Sequence, residues 1–222
     1  MPEAAIFDID GTLLDSVDLH ALAWCDAFAK FGHRTAFRKV RSQIGKGGDN
    51  LIPVFLSERD RRDHGDELEQ WRSKRFKSLY LPKVRPFAAV PALLDRVRGR
   101  GLRIGVASSA KHDELQQYLD IAQIRDLVDE TASSSDVQDS KPEPDVFLSI
   151  LRKLNIDGVD AVAVGDTPYD SQAAGKAGVR TIGVLSGGFP ESLLREAGCS
   201  EIYSGPGGLF AEFESCLLAG VI

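Results

Sequence analysis

Four short stretches of this 222-residue chain hold side chains that could do chemistry if the fold brought them together. The first is IFDIDGTLLDS, which sets Asp8 and Asp10 one residue apart at the end of an apolar run. In a strand, residues i and i+2 share a side, so the two carboxylates crowd as like charges and need a cation or a proton to compensate. Such a pair suits a hard cation held through oxygen ligands, while Gly11 permits a tight turn and Thr12 adds a hydroxyl donor. In the second stretch, IGVASSA, Ser108 and Ser109 follow an apolar run, where a hydroxyl either receives an anion or caps a helix. The third, DSKPEPDVF, carries Lys141 in a loop restrained by Pro142 and Pro144; it is a solvated lysine or a compact positive charge for a site. The fourth, DAVAVGDTPYD, puts Asp166 just past an apolar run and Asp170 one short loop later. That second carboxylate pair either completes an oxygen-ligand site or caps the next helix.

The elements that must position these residues are readable from pattern. AAIF, LRIGVA, DAVAVG and RTIGVL are short apolar runs of the kind that form buried parallel strands. Helical patterns such as VPALLDRVRGRG and PDVFLSILRKLN lie between them, so the expected fold is α/β, a doubly wound parallel sheet covered on both faces. Ligands of such sheets bind beyond the carboxyl ends of the strands, which is where all four stretches fall. A carboxylate pair, a hydroxyl, a lysine and a second carboxylate pair meeting there make a site for a phosphoryl group attacked by a carboxylate.

One segment breaks the alternation, with helical signals and almost no strand signal from about Val17 to Leu81. Its first helix is expected to present Leu19, Leu22, Ala23, Phe28 and Phe31 on one face and to end at Gly32. A glycine-rich loop, QIGKGGDN, and a charge-dense stretch, SERDRRDHGDELEQWRSKRFKSLY, follow; the latter reads as a solvated helical face. The expected organisation is a core of residues 1–15 and 83–222 with a helical cap of residues 16–82.

A net charge of −6 argues against a nucleic-acid binder. No apolar run is long enough to span a bilayer and no signal-peptide pattern opens the chain. The three cysteines show neither zinc spacing nor a disulfide framework, so the expected location is the cytoplasm. Oligomeric state is not encoded in any pattern of this sequence.

The order of motifs, DxDGT, then Ser after a strand, then Lys in SKPEPD, then GDTPYD, resembles the haloacid dehalogenase-like superfamily, in the branch with a helical cap between its first two motifs. The resemblance implies a Rossmann-like core and a cap that opens and closes over the site. It implies Asp8 as a nucleophile that forms an aspartyl-phosphate and Asp10 as acid and base. Thr12, Ser108 and Lys141 would bind phosphoryl oxygens. Mg²⁺ would be held by Asp8, the Asp10 carbonyl and Asp166, with Asp170 supporting or coordinating. The implied activity is a Mg²⁺-dependent phosphatase acting on small phosphorylated substrates such as phosphoglycolate or a sugar phosphate. Dehalogenating members lack the second Asp of the motif, and phosphonate-cleaving members replace it and use a cap lysine, so retained Asp10 argues against both. A phosphomutase like β-phosphoglucomutase is the nearer alternative, since His20 and Trp24 follow the motif at a similar spacing. That pair equally suits helix packing, and the IGKGGDN loop lacks the arginine that mutases carry there. Lys46 in this loop is expected to meet the far end of a substrate or to be solvated. A catalytically silent metabolite-binding protein is the remaining alternative.

Overall fold

A computed structural model describes residues 1–220 of the chain. Six strands form one parallel sheet: β1 (Ala4–Phe7), β4 (Arg103–Ala107), β5 (Glu130–Ala132), β6 (Ala161–Gly165), β7 (Arg180–Val184) and β8 (Cys199–Tyr203), in the spatial order β5-β4-β1-β6-β7-β8. A two-residue antiparallel ribbon of β2 (Leu14–Asp15) and β3 (Arg85–Pro86) stands apart from it. The chain therefore winds outward from β1 through β4 to β5, then crosses back to β6 and winds the other way. The crevice where the direction reverses lies between β1 and β6, the place where doubly wound sheets bind ligands.

Strand alternation builds the two faces. Ala5 and Phe7 of β1, with Val162 and Val164 of β6, enter the larger apolar cluster together with α5 (Val90–Gly99) and α6 (His112–Ala122). Ala4, Ile6, Ala161 and Ala163 point the opposite way, against α7 (Asp145–Leu154) and α8 (Pro168–Lys176). With both faces covered, each strand reads as a continuous apolar run. The four runs expected as strands are β1, β4, β6 and β7. The two edge strands, β5 and β8, carry Glu130, Glu201 and Ser200 and have no such run, so pattern alone passes over them. Beyond β7, α9 (Glu191–Glu196) leads into β8 and α10 (Pro206–Ala211) packs beside α5.

The chain leaves the core through β2 and returns through β3, which pair as Leu14 with Pro86 and Asp15 with Arg85. Between them lie α1 (Val17–Lys30), α2 (Phe37–Arg41), α3 (Gly48–Leu51) and α4 (Glu58–Arg75). This segment buries its own apolar cluster, including Trp24, Phe28, Val40, Leu51 and Leu68. Helix α1 ends as expected, with Gly32 at φ +85° just past Phe31. Its buried stripe differs from the expected one: His20, Ala21 and Trp24 face inward while Leu22 is 40% exposed. The face is rotated because α1 must cover both the segment's own core and the crevice below it. Among the described residues no helix is long and apolar enough to cross a membrane, and Cys25, Cys199 and Cys216 are free thiols.

Candidate active site

The first strand stops at Phe7, so strand alternation does not itself place the acidic pair; a turn does. Asp8 still extends the sheet, donating its N–H to Val164 C=O at 2.9 Å. The carbonyl of Ile9 then accepts from the N–H groups of Thr12, Leu13 and Leu14, and Gly11 takes φ +88°. Only glycine fits there twice over, because a Cβ at Gly11 would collide with the Asp166 carboxylate. Asp8 and Asp10 both line one cavity of about 280 Å³, closed on its far side by His20, Lys46, Arg72 and Glu69 of the inserted segment. They have different neighbours.

Asp8 belongs to a buried cluster at the strand ends. Lys141 Nζ donates to Asp8 Oδ1 at 2.5 Å and to Ala107 C=O at 2.9 Å, and lies 2.7 Å from Asp170 Oδ1. Ligand oxygens of Asp8, Asp166 and Asp170 all lie within 4.8 Å of one another. Asp170 does double duty: its Oδ2 accepts from the N–H and hydroxyl of Thr167 in a capping box at the start of α8, leaving Oδ1 for the cluster. Asp166 Oδ1 accepts from Thr12 Oγ1 at 3.1 Å, whereas Asp166 Oδ2 is buried with no hydrogen-bond partner.

Three carboxylates share one ammonium, and burial penalises their charged forms. Burial pushes the Asp8 carboxyl up to about 7; Lys141 relieves part of this, while Asp170 and Asp10 add to it. Burial and the charges of Asp170 and Asp8 hold Asp166 well above the usual carboxylate range. Lys141 loses to burial but gains more from Asp170 and Asp8, so it is firmly protonated. The cluster is short of positive charge. An orphaned carboxylate oxygen beside two further hard oxygen donors is the set that fits a divalent cation.

Asp10 turns instead toward the inserted segment. Its Oδ1 accepts from Ser16 Oγ at 2.5 Å and from His20 Nε2 at 2.9 Å. Arg72 Nη2 approaches His20 Nδ1 at 2.5 Å, and guanidinium has only donors, so Nδ1 accepts and the ring proton sits on Nε2, facing Asp10. The imidazole stacks on Phe76 at a 4.0 Å centroid distance, and Arg72 lies over the Trp24 and Phe76 rings. Burial works against an ionised Asp10, but His20, Ser16 and Arg72 outweigh it and hold the carboxyl below its ordinary range. Tyr118 closes the network, donating to Glu114 at 2.6 Å and lying 3.3 Å from His20 Nε2.

Of the residues singled out by sequence, Asp8, Asp10, His20, Trp24 and Lys46 line the cavity, and Lys141, Asp166 and Asp170 lie buried behind Asp8. Thr12 points to Asp166, and the buried Ser108 hydroxyl accepts from Ala110 N–H in a local turn; it does not cap α6, whose N-cap is Lys111. The Lys46 ammonium bonds Gln43 at 2.7 Å and sits 4.7 Å from the Tyr169 ring centroid. Arg72, Glu69, Glu114, Tyr118 and Ser16 also shape the site and were not readable as such. Arg72 and Glu69 sit in the charge-dense stretch, which is solvated over much of α4, where Leu68 is the single buried residue, but buries Phe76 and Tyr80 at its end. A wider groove of about 1400 Å³ runs along α7, but its Glu3 and Asp136 already pair with Arg103 and Lys153.

The chain is 27% identical to a haloacid dehalogenase-like hydrolase domain-containing protein of Arabidopsis thaliana, over 81% of this chain and 67% of that protein. It is also 27% identical to a phosphoglycolate phosphatase of Rhodospirillum rubrum, over 91% of this chain and 87% of the relative. A hydrolase from Pseudomonas syringae superposes with a TM-score of 0.86 at 24% identity, covering 96% of this chain and 98% of that one. The model of the haloacid dehalogenase-like hydrolases matches residues 5–184, from the first strand through β7 and so across all four motif loops. By that match the chain belongs to the haloacid dehalogenase-like hydrolase family.

Proposed function

We propose that the protein is a Mg²⁺-dependent phosphatase of small organic phosphomonoesters, working through a phosphorylated Asp8, with residues 16–82 as a cap over the site. The observation that carries this reading is the buried cluster of Asp8, Asp166, Asp170 and Lys141 opening into the cavity that Asp10 shares. Kinship with a phosphoglycolate phosphatase supports the substrate class.

Asp8, Asp166 and Asp170 would hold the cation, with the Asp10 carbonyl as a further oxygen ligand; when bound, it would supply the positive charge that keeps the buried carboxylates ionised. Lys141 fixes Asp8 through Oδ1, and Asp8, which lines the cavity, is left its Oδ2 as the nucleophile. Attack on phosphorus forms the Asp8–phosphoryl bond as the ester oxygen departs. Asp10 gives that oxygen its proton, then takes one from the water that hydrolyses phospho-Asp8. The His20 N–H holds Asp10 in the ionised form suited to the second step. The incoming phosphoryl charge raises its proton affinity for the first. Thr12 and Ser108 are proposed as hydroxyl partners of the phosphoryl oxygens, each after releasing its present partner, and Lys46 as a contact for the far end of the substrate.

The test is release of inorganic phosphate from a panel of phosphomonoesters with Mg²⁺ and with EDTA, for the native protein and Asp8→Asn. The expected outcome is turnover that needs the metal and falls by at least ~10³-fold in Asp8→Asn. Comparable turnover by a well-folded Asp8→Asn protein would end the covalent reading.

A further inference from the structure

Lys141 is held from two sides, its ammonium by the core and its main chain by the inserted segment. Its ammonium is fixed by Asp8, Asp170 and the Ala107 carbonyl, but its main chain lies in a loop between a short helical turn at Ser134–Asp136 and the start of α7. Among the described residues, the one backbone–backbone hydrogen bond made by the main chain of 137–142 is a turn within the loop itself, from Glu143 N–H to Ser140 C=O at 3.0 Å. Its other partners come from the inserted segment. Asp49 Oδ2 accepts from Ser140 N–H at 3.2 Å, and Asn50 Nδ2 donates to Ser140 C=O at 3.2 Å and to Lys141 C=O at 3.5 Å. The Ser140 side chain is claimed as fully: its hydroxyl donates to Asp49 Oδ1 at 2.6 Å and accepts from Gly47 N–H and Asn50 Nδ2, both at 3.1 Å.

We propose that Asp49 and Asn50 are positioning residues for Lys141, acting through Ser140, so that the loop of the catalytic lysine is ordered only while the inserted segment is seated on the core. This rests on the reading of Lys141 as part of a phosphoryl-transfer site. Close approach is built into the sequence, since a Cβ on Gly47 would meet Ser140 Cβ at 2.6 Å. Residues 42–45 of the inserted segment also grip two of the other three motif loops. Ser109 donates to Gly45 C=O at 3.1 Å, and Tyr169, between Asp166 and Asp170, donates to Ser42 C=O at 2.9 Å. Each hydrogen bond is individually weak, and Asp49 is exposed, so the contact is reversible on the scale of a catalytic cycle. A lysine whose loop is loosened still bears its charge but no longer holds Asp8 in line. A misplacement of that kind lowers the rate of the chemical step more than it weakens binding.

The experiment uses full-length protein with Mg²⁺ and p-nitrophenyl phosphate, comparing native protein with Asp49→Ala, Asn50→Ala, Ser140→Ala and the Asp49→Ala/Ser140→Ala double variant. Hydrogen exchange of the Ser140 amide is measured on the same samples. Asp49→Ala and Ser140→Ala are each expected to lower kcat about tenfold or more with KM little changed. The double variant should lose less than the product of the two single losses, because the Asp49–Ser140 hydroxyl bond is common to both. The Ser140 amide should exchange faster in Asp49→Ala while the melting temperature stays native. Native kcat in both Asp49→Ala and Asn50→Ala, a double variant whose loss is the product of the singles, or unchanged exchange would each overturn the proposal. If the native protein releases no phosphate, the proposed function fails and the exchange measurement alone decides this inference, in the same two directions.

Discussion

The two sides of the cavity solve the problem of a buried acid in opposite ways. Around Asp8, three carboxylates share a single ammonium, and one oxygen of Asp166 has no partner at all. Around Asp10, the carboxylate accepts from Ser16 and His20, and His20 is in turn fixed by Arg72. Burial dominates on the first side and pushes Asp8 and Asp166 up; on the second, hydrogen bonds and nearby positive charge overcome it and push Asp10 down. One side is incomplete without a cation. The other balances its carboxylate with donors and positive charge from within the protein. Without a cation the raised carboxyl is Asp8 and the lowered one is Asp10, the reverse of a nucleophile and an acid, so the roles proposed for the two aspartates require a cation on the Asp8 side.

The largest effect expected from breaking this contrast, beyond loss of Asp8 itself, is on the Asp10 side. Asp10→Asn should slow phosphate release by ~10²–10⁴-fold for alkyl esters and far less for activated aryl esters, whose leaving groups need no proton. Equal losses across a series of leaving groups would remove Asp10 from the acid role.

Stability without metal sharpens the contrast, because the two sides predict opposite signs. Asp166 has its folded-state pKa raised, so its ionisation opposes folding once pH exceeds the unfolded value, and that cost is present near neutrality. Asp166→Asn should therefore raise the metal-free melting temperature by about 2–4 °C at pH 7 and abolish any further rise on adding Mg²⁺. His20→Ala should lower it by a similar amount, since it strands Arg72 and strips a donor from Asp10. Calorimetry of both variants that gave shifts of one sign would mean the two sides do not differ as described.

The smallest effect concerns the turn that leads into the Lys141 loop. Burial works against an ionised Asp136, but hydrogen bonds from Lys153 and Ser133 prevail and lower its carboxyl to about 2. A depressed folded-state pKa gives stability that is present above the unfolded value near 4 and is lost as pH falls through about 2. Asp136→Asn should cost on the order of 1 kcal/mol at pH 7, after discounting for its partial exposure. Urea titrations should show that cost shrinking between pH 4 and pH 2, and a pH-independent cost would contradict the ionic contribution.

How much was legible depended on whether a residue's environment is local in sequence. Asp8, Ser108 and Asp166 each follow an apolar run, and because strands buried on both faces keep that run unbroken, their place at one sheet edge could be read directly. The strand edges β5 and β8 were hidden because an edge strand tolerates charged and polar residues. Arg72 was hidden for a different reason. It is one of many charges on α4, and neither spacing nor composition tells which of them turns toward His20 rather than water. His20 looked equally like a packing residue and a site residue, and it is both: stacked on Phe76 and bonded to Asp10.

The sequence by itself determined the inventory of chemistry and the alternation that lines it up, since both follow from residue type and from periodicities along a few neighbouring positions. Only the tertiary structure decided how the two aspartates divide, with Asp8 facing Lys141 and Asp10 facing His20, and which part of the inserted segment meets Ser140. Those outcomes depend on pairs separated by 133 positions for Asp8 and Lys141 and 91 for Asp49 and Ser140. Electrostatic and hydrogen-bond energies depend on distance in space, and for such pairs distance in space is set by the packing of the whole chain.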